Sequence, residues 1–474
     1  MSFNFRNIAN RLRKQQLTSY PAPSFGIHHY LREDGAGKAR LHLRLEKDGS
    51  GVLLMNASRI YHLNTTAAYM AYLCLEQIPL QSAVSMLTRR FRVSARQALE
   101  DFTKFQKEFS FLIQPGDGCP VCELGLETTA PFSDHPSAPY RMDLAITYRC
   151  NNDCAHCYNA RPRRYPELNT AHWKIVLDRL WQLGIPHVVF TGGEPTLRSD
   201  LTELIACAQQ LGQITGLNTN GRRLSDPAFV EALVSAGLDH VQITIESHDP
   251  EIHDAMVRHK GAWQETIQGI RNALKSRLFV MTNSTLLQTN STPENLRRLL
   301  EFLAVLGVPT IGLNALIYSG HGLEVNTGLP ETSLLPLLEL ARSMTEQSGQ
   351  RLIWYTPTQY CHFDPLQLDL GVKGCTAALY NMCIEPDGSV IPCQSYYQSL
   401  GNILETSWDL IWNHELAIQL RERKDVPFAC QSCVLLQQCG GGCPLARRTE
   451  HNAHPFPILP LQFDKTEMSH EPIP

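Results

Sequence analysis

The stretch LAITYRCNNDCAHCY, residues 144–158, decides the prediction of the fold. Its apolar run LAIT predicts a buried strand, and Cys150, Cys154 and Cys157 follow at once in a CxxxCxxC spacing. Thiolates are soft ligands that suit iron–sulfur clusters. A cubane of four irons takes four thiolates, so three thiolates leave one iron open for a substrate or cofactor. The alternative is a structural zinc site that includes His156, but its position beside Cys157 strains that geometry.

Apolar, β-rich runs alternate with helical patterns between residues 141 and 350. The predicted strands are 144–147, 187–191, 213–218, 240–246, 279–287 and 310–317. The predicted helices are 170–183, 201–211, 226–236, 262–276, 293–306 and 331–348. Six β–α repeats predict parallel strands with right-handed crossovers. The fold class is therefore α/β, a partial (β/α)6 TIM-type barrel with its active site at the carboxyl ends of the strands.

The composition excludes several classes of function. The chain has 474 residues and a formal net charge of -4, which gives no basic field for nucleic acid or an anionic membrane. No apolar run approaches the ~20 residues that span a bilayer. The basic N-terminus lacks the apolar core of a signal peptide, so we expect a cytoplasmic protein. In that reducing compartment its 15 cysteines indicate metal or redox sites rather than disulfides.

Two shorter segments flank the predicted barrel on its N-terminal side. Residues 1–114 combine extended runs at 39–46 and 51–56 with helical patterns near 65–76, 80–91 and 95–113. This is a winged-helix-like α+β module without a basic face, so a peptide or protein partner is expected rather than DNA. Residues 115–140 form a linker rich in Pro, Gly and Ser. Its Cys119 and Cys122 are either two thiols in a surface turn or a supplementary metal or redox pair.

The cysteine motif at residues 150–157 and the segment Thr191-Gly-Gly-Glu-Pro195 together resemble the radical S-adenosylmethionine (SAM) superfamily. The resemblance implies that a 4Fe–4S cluster on Cys150, Cys154 and Cys157 binds SAM at its open iron. One electron then splits SAM into methionine and a 5′-deoxyadenosyl radical, which removes a hydrogen atom from the substrate. The implied cofactor-binding residues here are Tyr158, Gly192, Gly193, Glu194 and Pro195. Paired glycines allow close backbone approach, and a carboxylate suits the SAM ammonium group.

Further SAM contacts are implied at the ends of three later strands. Asn218 and Asn220 end the third strand, where relatives contact the ribose and carboxylate of SAM. Thr244 and Glu246 stand where relatives often carry Ser-Leu-Asp, and Asn290 follows the fifth strand. The alternative is that these polar side chains only cap the strand ends.

The C-terminal region, residues 351–445, carries two further cysteine patterns. Their spacing, Cys375-x12-Gly-x4-Cys393 and Cys430-x2-Cys433-x5-Cys439-x3-Cys443, resembles the SPASM domain, which holds one or two auxiliary iron–sulfur clusters. The resemblance assigns Cys375, Cys393 and Cys443 to one cluster, with Cys383 or, less favoured, Cys361 as its fourth ligand. Cys430, Cys433 and Cys439 belong to another cluster, whose usual downstream cysteine is missing here. That second site could use a non-cysteine ligand or a linker thiol, or be absent, and a zinc knuckle is the alternative. Residues 446–474 read as an irregular tail.

The segment GVLLMNASRIYHLNTTAAYMAYLCLE, residues 51–76, resembles the pyrroloquinoline-quinone biosynthesis D (PqqD) protein. That fold binds a leader peptide as an added strand at a sheet edge. The alternative is a structural cap on the barrel. The three resemblances imply an enzyme that crosslinks or otherwise matures a ribosomally made precursor peptide, with a flavodoxin or ferredoxin as electron donor.

Other substrates and roles fit the sequence less well. A cofactor precursor such as a tetrapyrrole is the alternative substrate. A sulfatase-maturing role is disfavoured because Gln394 follows Cys393 where those relatives have Asp. An iron–sulfur electron carrier is the non-enzyme alternative, but a simple carrier needs neither a GGEP motif nor a barrel.

Overall fold

The computed structural model describes residues 23–34, 37–56, 59–113, 132 and 136–448. The chain divides into two compact units, Met1–Thr128 and Thr129–Pro474. The thiol pair Cys119 and Cys122 and most of the predicted tail lie outside the described residues. In the described part, no helix is long and apolar enough to cross a membrane.

The first unit is an antiparallel sheet packed against three helices. Its strands pair in sequence order and are β1 (Gly26–Asp34), β2 (Gly37–Leu45), β3 (Gly51–Met55) and β4 (Arg59–Leu63). Its helices are α1 (Thr65–Leu75), α2 (Leu80–Arg90) and α3 (Ala95–Leu112). The Ser94 hydroxyl begins α3 by accepting a hydrogen bond from the Gln97 amide at 3.2 Å. Leu41, Leu53 and Phe102 are fully buried where the sheet meets the helices. The sequence predicted β2, β3 and all three helices but missed β1 and β4.

The second unit is built on one nine-stranded sheet. Its strands are β5 (Arg141–Thr147), β6 (His187–Gly192), β7 (Ile214–Thr219), β8 (His240–Thr244), β9 (Phe279–Leu286), β10 (Thr310–Ala315), β11 (Arg351–Trp354), β12 (Asn381–Ile384) and β13 (Val390–Ile391). The order across the sheet is β11-β10-β9-β8-β7-β6-β5-β12-β13, and only β12 and β13 are antiparallel to each other. The six predicted strands are its parallel centre, which confirms the partial-barrel prediction. The sheet continues past residue 350 through β11, which the sequence did not predict.

Helices follow the strands as expected for repeated β–α units. They are α4 (Thr170–Gln182), α5 (Leu201–Leu211), α6 (Pro227–Ala236), α7 (Pro250–Val257), α8 (Ala262–Leu274), α9 (Pro293–Leu306), α10 (Leu335–Ser348), α11 (Trp408–Trp412), α12 (Glu415–Arg421), α13 (Phe428–Gln431) and α14 (Leu436–Cys439). Apolar side chains of the strands and of most of these helices form a continuous core that includes Trp173, Phe190 and Trp354. This core fixes the strands whose carboxyl ends carry the predicted site.

The Cys-rich C-terminal region is joined to the barrel through β12. This strand pairs in parallel with β5, and the register places Cys383 beside Asp143. The hairpin of β12 and β13 therefore extends the sheet directly from the strand that leads into the first cysteine motif.

Candidate active site

The segment Cys150–Cys157, called the cysteine loop below, leaves the carboxyl end of β5 and crosses to the end of α7. The amide of Asp153 donates to the carbonyl of Val257 at 3.1 Å, and the amide of Ala155 donates to the carbonyl of Met256 at 2.9 Å. The loop is thus fixed by backbone hydrogen bonds to a helix that the sequence did not predict.

Two arginines hold the cysteine loop from its sides. The guanidinium of Arg222 donates to the carbonyl of Asn151 at 2.5 Å and to Asn152 Oδ1 at 2.8 Å. The guanidinium of Arg163 donates to the carbonyl of Asn152 at 2.6 Å and to Asp153 at 2.9 Å. The sequence analysis missed both residues. Arg222 lies two positions after the predicted Asn220, which is the only sequence signal that could have pointed to it.

The imidazole of His156 contacts a buried carboxylate. Its Nε2 lies 2.9 Å from Oε1 of Glu246, which is fully buried at the end of β8. The other oxygen of Glu246 accepts the Thr285 amide at 2.8 Å. Glu246 therefore anchors the cysteine loop to the neighbouring strand ends. This contact argues against His156 as a zinc ligand.

The three cysteines of the cysteine loop are partly exposed, but their thiols are surrounded closely enough by protein to be desolvated. Burial raises the pKa of Cys150, and the Glu194 carboxylate raises it further. Burial, Cys157 and Cys150 together raise the pKa of Cys154 well above its usual value. Burial also raises the pKa of Cys157. A bound cluster would relieve this repulsion, since each thiolate would ligate iron.

This donor set fits an iron–sulfur cluster. The loop offers three soft thiol ligands, which suit iron–sulfur clusters, and the electrostatic influence of Cys150 and Cys157 on Cys154 shows that the thiols are near one another. Within the described residues, no group of three or more His, Cys, Asp or Glu side chains stands ready to hold a metal ion. In a cluster each thiolate binds its own iron, so the thiolates need not meet at a single point.

The paired glycines Gly192 and Gly193 pack against the backbone that leads into the cysteine loop. A Cβ added at Gly192 would lie 2.1 Å from the carbonyl oxygen of Thr147, and one at Gly193 would lie 2.4 Å from that of Arg149. The Gly193 amide donates to Thr147 at 2.7 Å, and the Glu194 amide donates to Arg149 at 2.8 Å. Only glycine allows this approach, which aligns the GGEP segment with the loop.

The carboxylate of Glu194 organises the end of β7. Its Oε1 accepts from the amide and hydroxyl of Thr196 at 3.0 and 2.7 Å and from the Thr219 hydroxyl at 2.8 Å. Its Oε2 accepts the Asn220 amide at 2.8 Å. Burial raises the pKa of Glu194, although these hydrogen bonds oppose the rise. Pro195 begins the short helical turn Pro195–Leu197 that holds Thr196 in place.

The remaining predicted contacts divide into two groups. Asn218 and Thr244 are partly exposed at neighbouring strand ends, and Asn220 Nδ2 donates to Asn151 Oδ1 at 2.7 Å. Asn290 is buried, and its side-chain Nδ2 donates to the backbone carbonyls of Glu246 at 2.7 Å and Thr285 at 2.9 Å. That geometry favours the capping alternative for Asn290.

Tyr158 connects the cysteine loop with the C-terminal region. Its hydroxyl donates to Gln394 Oε1 at 3.3 Å, one residue after Cys393. Burial raises the pKa of Tyr158, and the adjacent Cys157 adds to the rise. Nearby, Arg161 forms a two-point ion pair with the buried Glu385, at 2.8 and 3.0 Å.

The C-terminal cysteines form separate groups. Burial and Cys443 raise the pKa of Cys375 to about 12, and burial, Cys375 and Cys443 raise the pKa of Cys393. These three thiols are therefore neighbours. Cys383 is fully buried on β12, packed with Ala145 and other apolar side chains, and Cys393 makes a minor contribution to its raised pKa.

Residues 144–303 match the family model of the radical SAM superfamily, and residues 375–434 match the SPASM iron–sulfur cluster-binding domain. The PqqA peptide cyclase of Granulibacter bethesdensis is 31% identical over 322 residues, which are 64% of this chain and 82% of that protein. The chain belongs to the radical SAM superfamily. This radical SAM protein is an enzyme whose cofactors are a 4Fe–4S cluster and SAM, and its SPASM domain implies auxiliary iron–sulfur clusters.

Solved structures share the fold. The crystal structure of SuiB from Streptococcus suis bound to the precursor peptide SuiA superposes with a TM-score of 0.65 at 17% identity, covering 89% of this chain and 97% of SuiB. The native structure of anSMEcpe with bound AdoMet gives a TM-score of 0.53 at 17% identity, covering 66% of this chain and 91% of that one. At such identities the likeness extends to the fold alone.

Proposed function

We propose that this radical SAM enzyme matures a ribosomally made precursor peptide, by a crosslink or a related modification. The observation that carries the proposal is the 31% identity to a PqqA peptide cyclase across 82% of that protein. The SuiB structure, which contains a precursor peptide, has the same fold and supports a peptide over a tetrapyrrole.

Within the proposed site, Cys150, Cys154 and Cys157 ligate the 4Fe–4S cluster. When bound, that cluster supplies the electron that splits SAM. Tyr158, Asn218, Asn220, Thr244 and the segment Gly192–Pro195 bind SAM. This segment does so through its backbone, because the Glu194 carboxylate is buried and already accepts four hydrogen bonds. Glu194 also fixes the Asn220 amide, which places the end of β7 toward the cysteine loop. Glu246 and Asn290 act as positioning residues, because their polar atoms already bind His156 and the backbone at neighbouring strand ends.

The C-terminal thiols complete the proposed set of clusters. Cys375, Cys393 and Cys443 ligate one auxiliary cluster, with Cys383 as the candidate for its fourth position. Cys430, Cys433 and Cys439 belong to a second. Reduced clusters need an external electron donor, for which a flavodoxin or ferredoxin is suited. We also propose a cytoplasmic location, because thiols stay reduced and available as ligands in that compartment.

The N-terminal unit is proposed to bind the leader of the precursor by strand addition. Its sheet has two edge strands in the described residues, β1 and β4, and each exposes one large apolar side chain. Leu31 on β1 is 46% exposed and Ile60 on β4 is 41% exposed. Such side chains would line the pockets that give an added strand its specificity.

The SAM chemistry is tested by anaerobic reconstitution with dithionite and SAM. We expect release of 5′-deoxyadenosine, and we expect the combined change of Cys150, Cys154 and Cys157 to Ala to abolish it. Cys207→Ala is the matched control, since Cys207 only packs against the core of the barrel. Continued turnover in the triple variant would contradict the site assignment.

The recognition role is tested in the whole chain, with a short precursor peptide identified by a search of the neighbouring genes. Leu31→Asp and Ile60→Asp each put a charge on one edge at exposed positions, so stability should change little. The variant at the binding edge should weaken peptide affinity at least tenfold while cleavage of SAM without peptide stays unchanged. If both variants keep the wild-type affinity, the unit is a structural cap.

A further inference from the structure

A turn that precedes the SPASM motifs lies directly against the last cysteine group. The Tyr360 amide donates to the Sγ of Cys439 at 3.4 Å, and the Cys439 thiol lies 3.5 Å from the carbonyl oxygen of Thr358. Cys361 is the next residue along this turn. The backbone of residues 358–360 therefore already encloses the thiol of a proposed cluster ligand.

The position of Cys361 is fixed on both sides by one buried carboxylate. Glu331 Oε2 accepts the Gln359 amide at 3.1 Å and lies 2.8 Å from His362 Nδ1. Glu331 is 3% exposed, whereas Cys361 is exposed. The turn is thus anchored inside the protein by Glu331, while Cys361 itself is exposed.

The glycines of the SPASM quartet pack onto the same turn. A Cβ added at Gly442 would lie 2.8 Å from the Gln359 side chain and 3.2 Å from its amide nitrogen. Since Gly442 has a φ of +73°, this close approach needs glycine for two reasons. The loop that follows Cys439 and the turn that precedes Cys361 are built to lie together.

The thiols form two distinct groups by their electrostatic influence. Burial raises the pKa of Cys361, and Cys439 is the largest charged contributor, with Glu331 and Cys433 adding less. Burial raises the pKa of Cys430, followed by Cys439, Cys361 and Cys433. Burial is also the largest cause of the raised pKa of Cys375 and of Cys393, but here Cys443 adds to both, and Cys375 adds to that of Cys393.

We propose that Cys361 is the fourth thiolate of the second auxiliary cluster, together with Cys430, Cys433 and Cys439. Each thiol releases its proton to solvent as it binds iron, and no electron is exchanged. The ligand thus comes from upstream of the motif and replaces the downstream cysteine that the chain lacks. This deepens the proposed function, because it rests on the SPASM region holding a second cluster. Cys361 is thereby assigned to the second auxiliary cluster, whereas the sequence predicted it as the less favoured fourth ligand of the first auxiliary cluster.

The decisive measurement is iron content and electron paramagnetic resonance in two backgrounds. The second-site background leaves only the second auxiliary site, with Cys150, Cys154, Cys157, Cys375, Cys393 and Cys443 changed to Ala. The first-site background leaves only the first auxiliary site, with Cys150, Cys154, Cys157, Cys430, Cys433 and Cys439 changed to Ala. Adding Cys361→Ala should remove at least half of the bound iron, or convert the resonance to a three-iron form, in the second-site background alone.

Three outcomes of that measurement overturn the proposal. They are unchanged iron and resonance in the second-site background, a loss confined to the first-site background, and zinc in place of iron at the second site. Cys207→Ala is the matched control in both backgrounds, since its thiol packs against the barrel core.

Thiol footprinting of the wild-type chain gives an answer even if a background variant fails to fold. In the apo protein, iodoacetamide should label the exposed Cys361 and Cys433 rapidly. After reconstitution both should be protected at least tenfold, with Cys207 unchanged. Labelling of Cys361 at the apo rate while Cys433 is protected refutes the proposal. Neither readout uses turnover, so loss of SAM cleavage alone would count against the proposed function and not against this ligand.

Discussion

Gly193→Ala tests whether the GGEP segment positions the cysteine loop. The added Cβ would lie 2.4 Å from the carbonyl oxygen of Arg149 and 2.6 Å from that of Tyr148, and real Cβ contacts essentially never fall under 3.0 Å. The loop backbone must therefore move by at least about 0.6 Å. Overpacking of this kind costs about 1–3 kcal/mol.

The displaced backbone is the one that enters Cys150, so the effect on catalysis should exceed the effect on stability. Misplacement by 1 Å costs up to about a hundredfold in rate, and we expect SAM cleavage to fall about tenfold at nearly normal iron content. The assay is 5′-deoxyadenosine formation beside iron quantification and thermal unfolding.

Gly307→Ala is the control for this experiment. An added Cβ there meets no atom within 4 Å, although the φ of +80° makes the substitution strained. It should cost about 1 kcal/mol of stability and leave SAM cleavage unchanged. A Gly193→Ala protein with wild-type cleavage would refute the positioning role.

Three further predictions concern the second unit. Arg222→Ala removes the donors to Asn151 and Asn152, so SAM cleavage should fall about tenfold, while Arg298→Ala, in an exposed helical pair, should leave it unchanged in the same assay. Arg161→Ala leaves Glu385 buried without its ion-pair partner and with only the Tyr148 hydroxyl bonded to it. This should destabilise the unit by about 3 kcal/mol in denaturant unfolding, and Glu385→Gln in the same chain should recover part of that loss. Burial lowers the pKa of His240 to about 4, so the unfolded chain binds a proton that the folded chain does not as pH falls from about 6.5. Stability should therefore be complete above that pH and drop by up to about 3 kcal/mol toward pH 4, and His240→Gln should flatten this dependence in pH-resolved unfolding.

The central strands and their helices were predictable because each is a local pattern. Apolar β-rich runs such as β6 and β9 are bounded by helical periodicity, so no distant partner is needed to recognise them. The helix α7 could also have been predicted, since Asp249 followed by Pro250 is a typical sequence at the start of a helix. In the structure, Asp249 accepts the Glu251 amide as the N-cap.

Two of the missed strands lack a strong local signal, for different reasons. β12 has four residues, and its pairing with β5 brings together segments about 240 positions apart. β4 is short and only half-buried, with a sequence, RIYHL, that carries no strong strand pattern. Such elements are stabilised by tertiary pairing rather than by their own propensity.

The candidate site divides in the same way. The motifs placed Gly192, Gly193 and Glu194 at the correct strand end, because the end of a strand is a local property. They could not reveal that Glu194 binds the Thr219 hydroxyl or that Arg222 reaches the cysteine loop. Those contacts exist only once neighbouring strands align their ends.

The pairing of β5 with β12 also bears on how the protein is made. During synthesis from the N-terminus, the strand that leads into the cysteine loop gains β6 early but lacks its other neighbour until residue 384 has emerged. Until then an apolar edge is open to other chains, which is a hazard for aggregation. A nascent chain at that stage would need protection by a chaperone. A fragment that ends near residue 350 would keep that open edge permanently, so the barrel should fail as an isolated piece for a reason unrelated to iron.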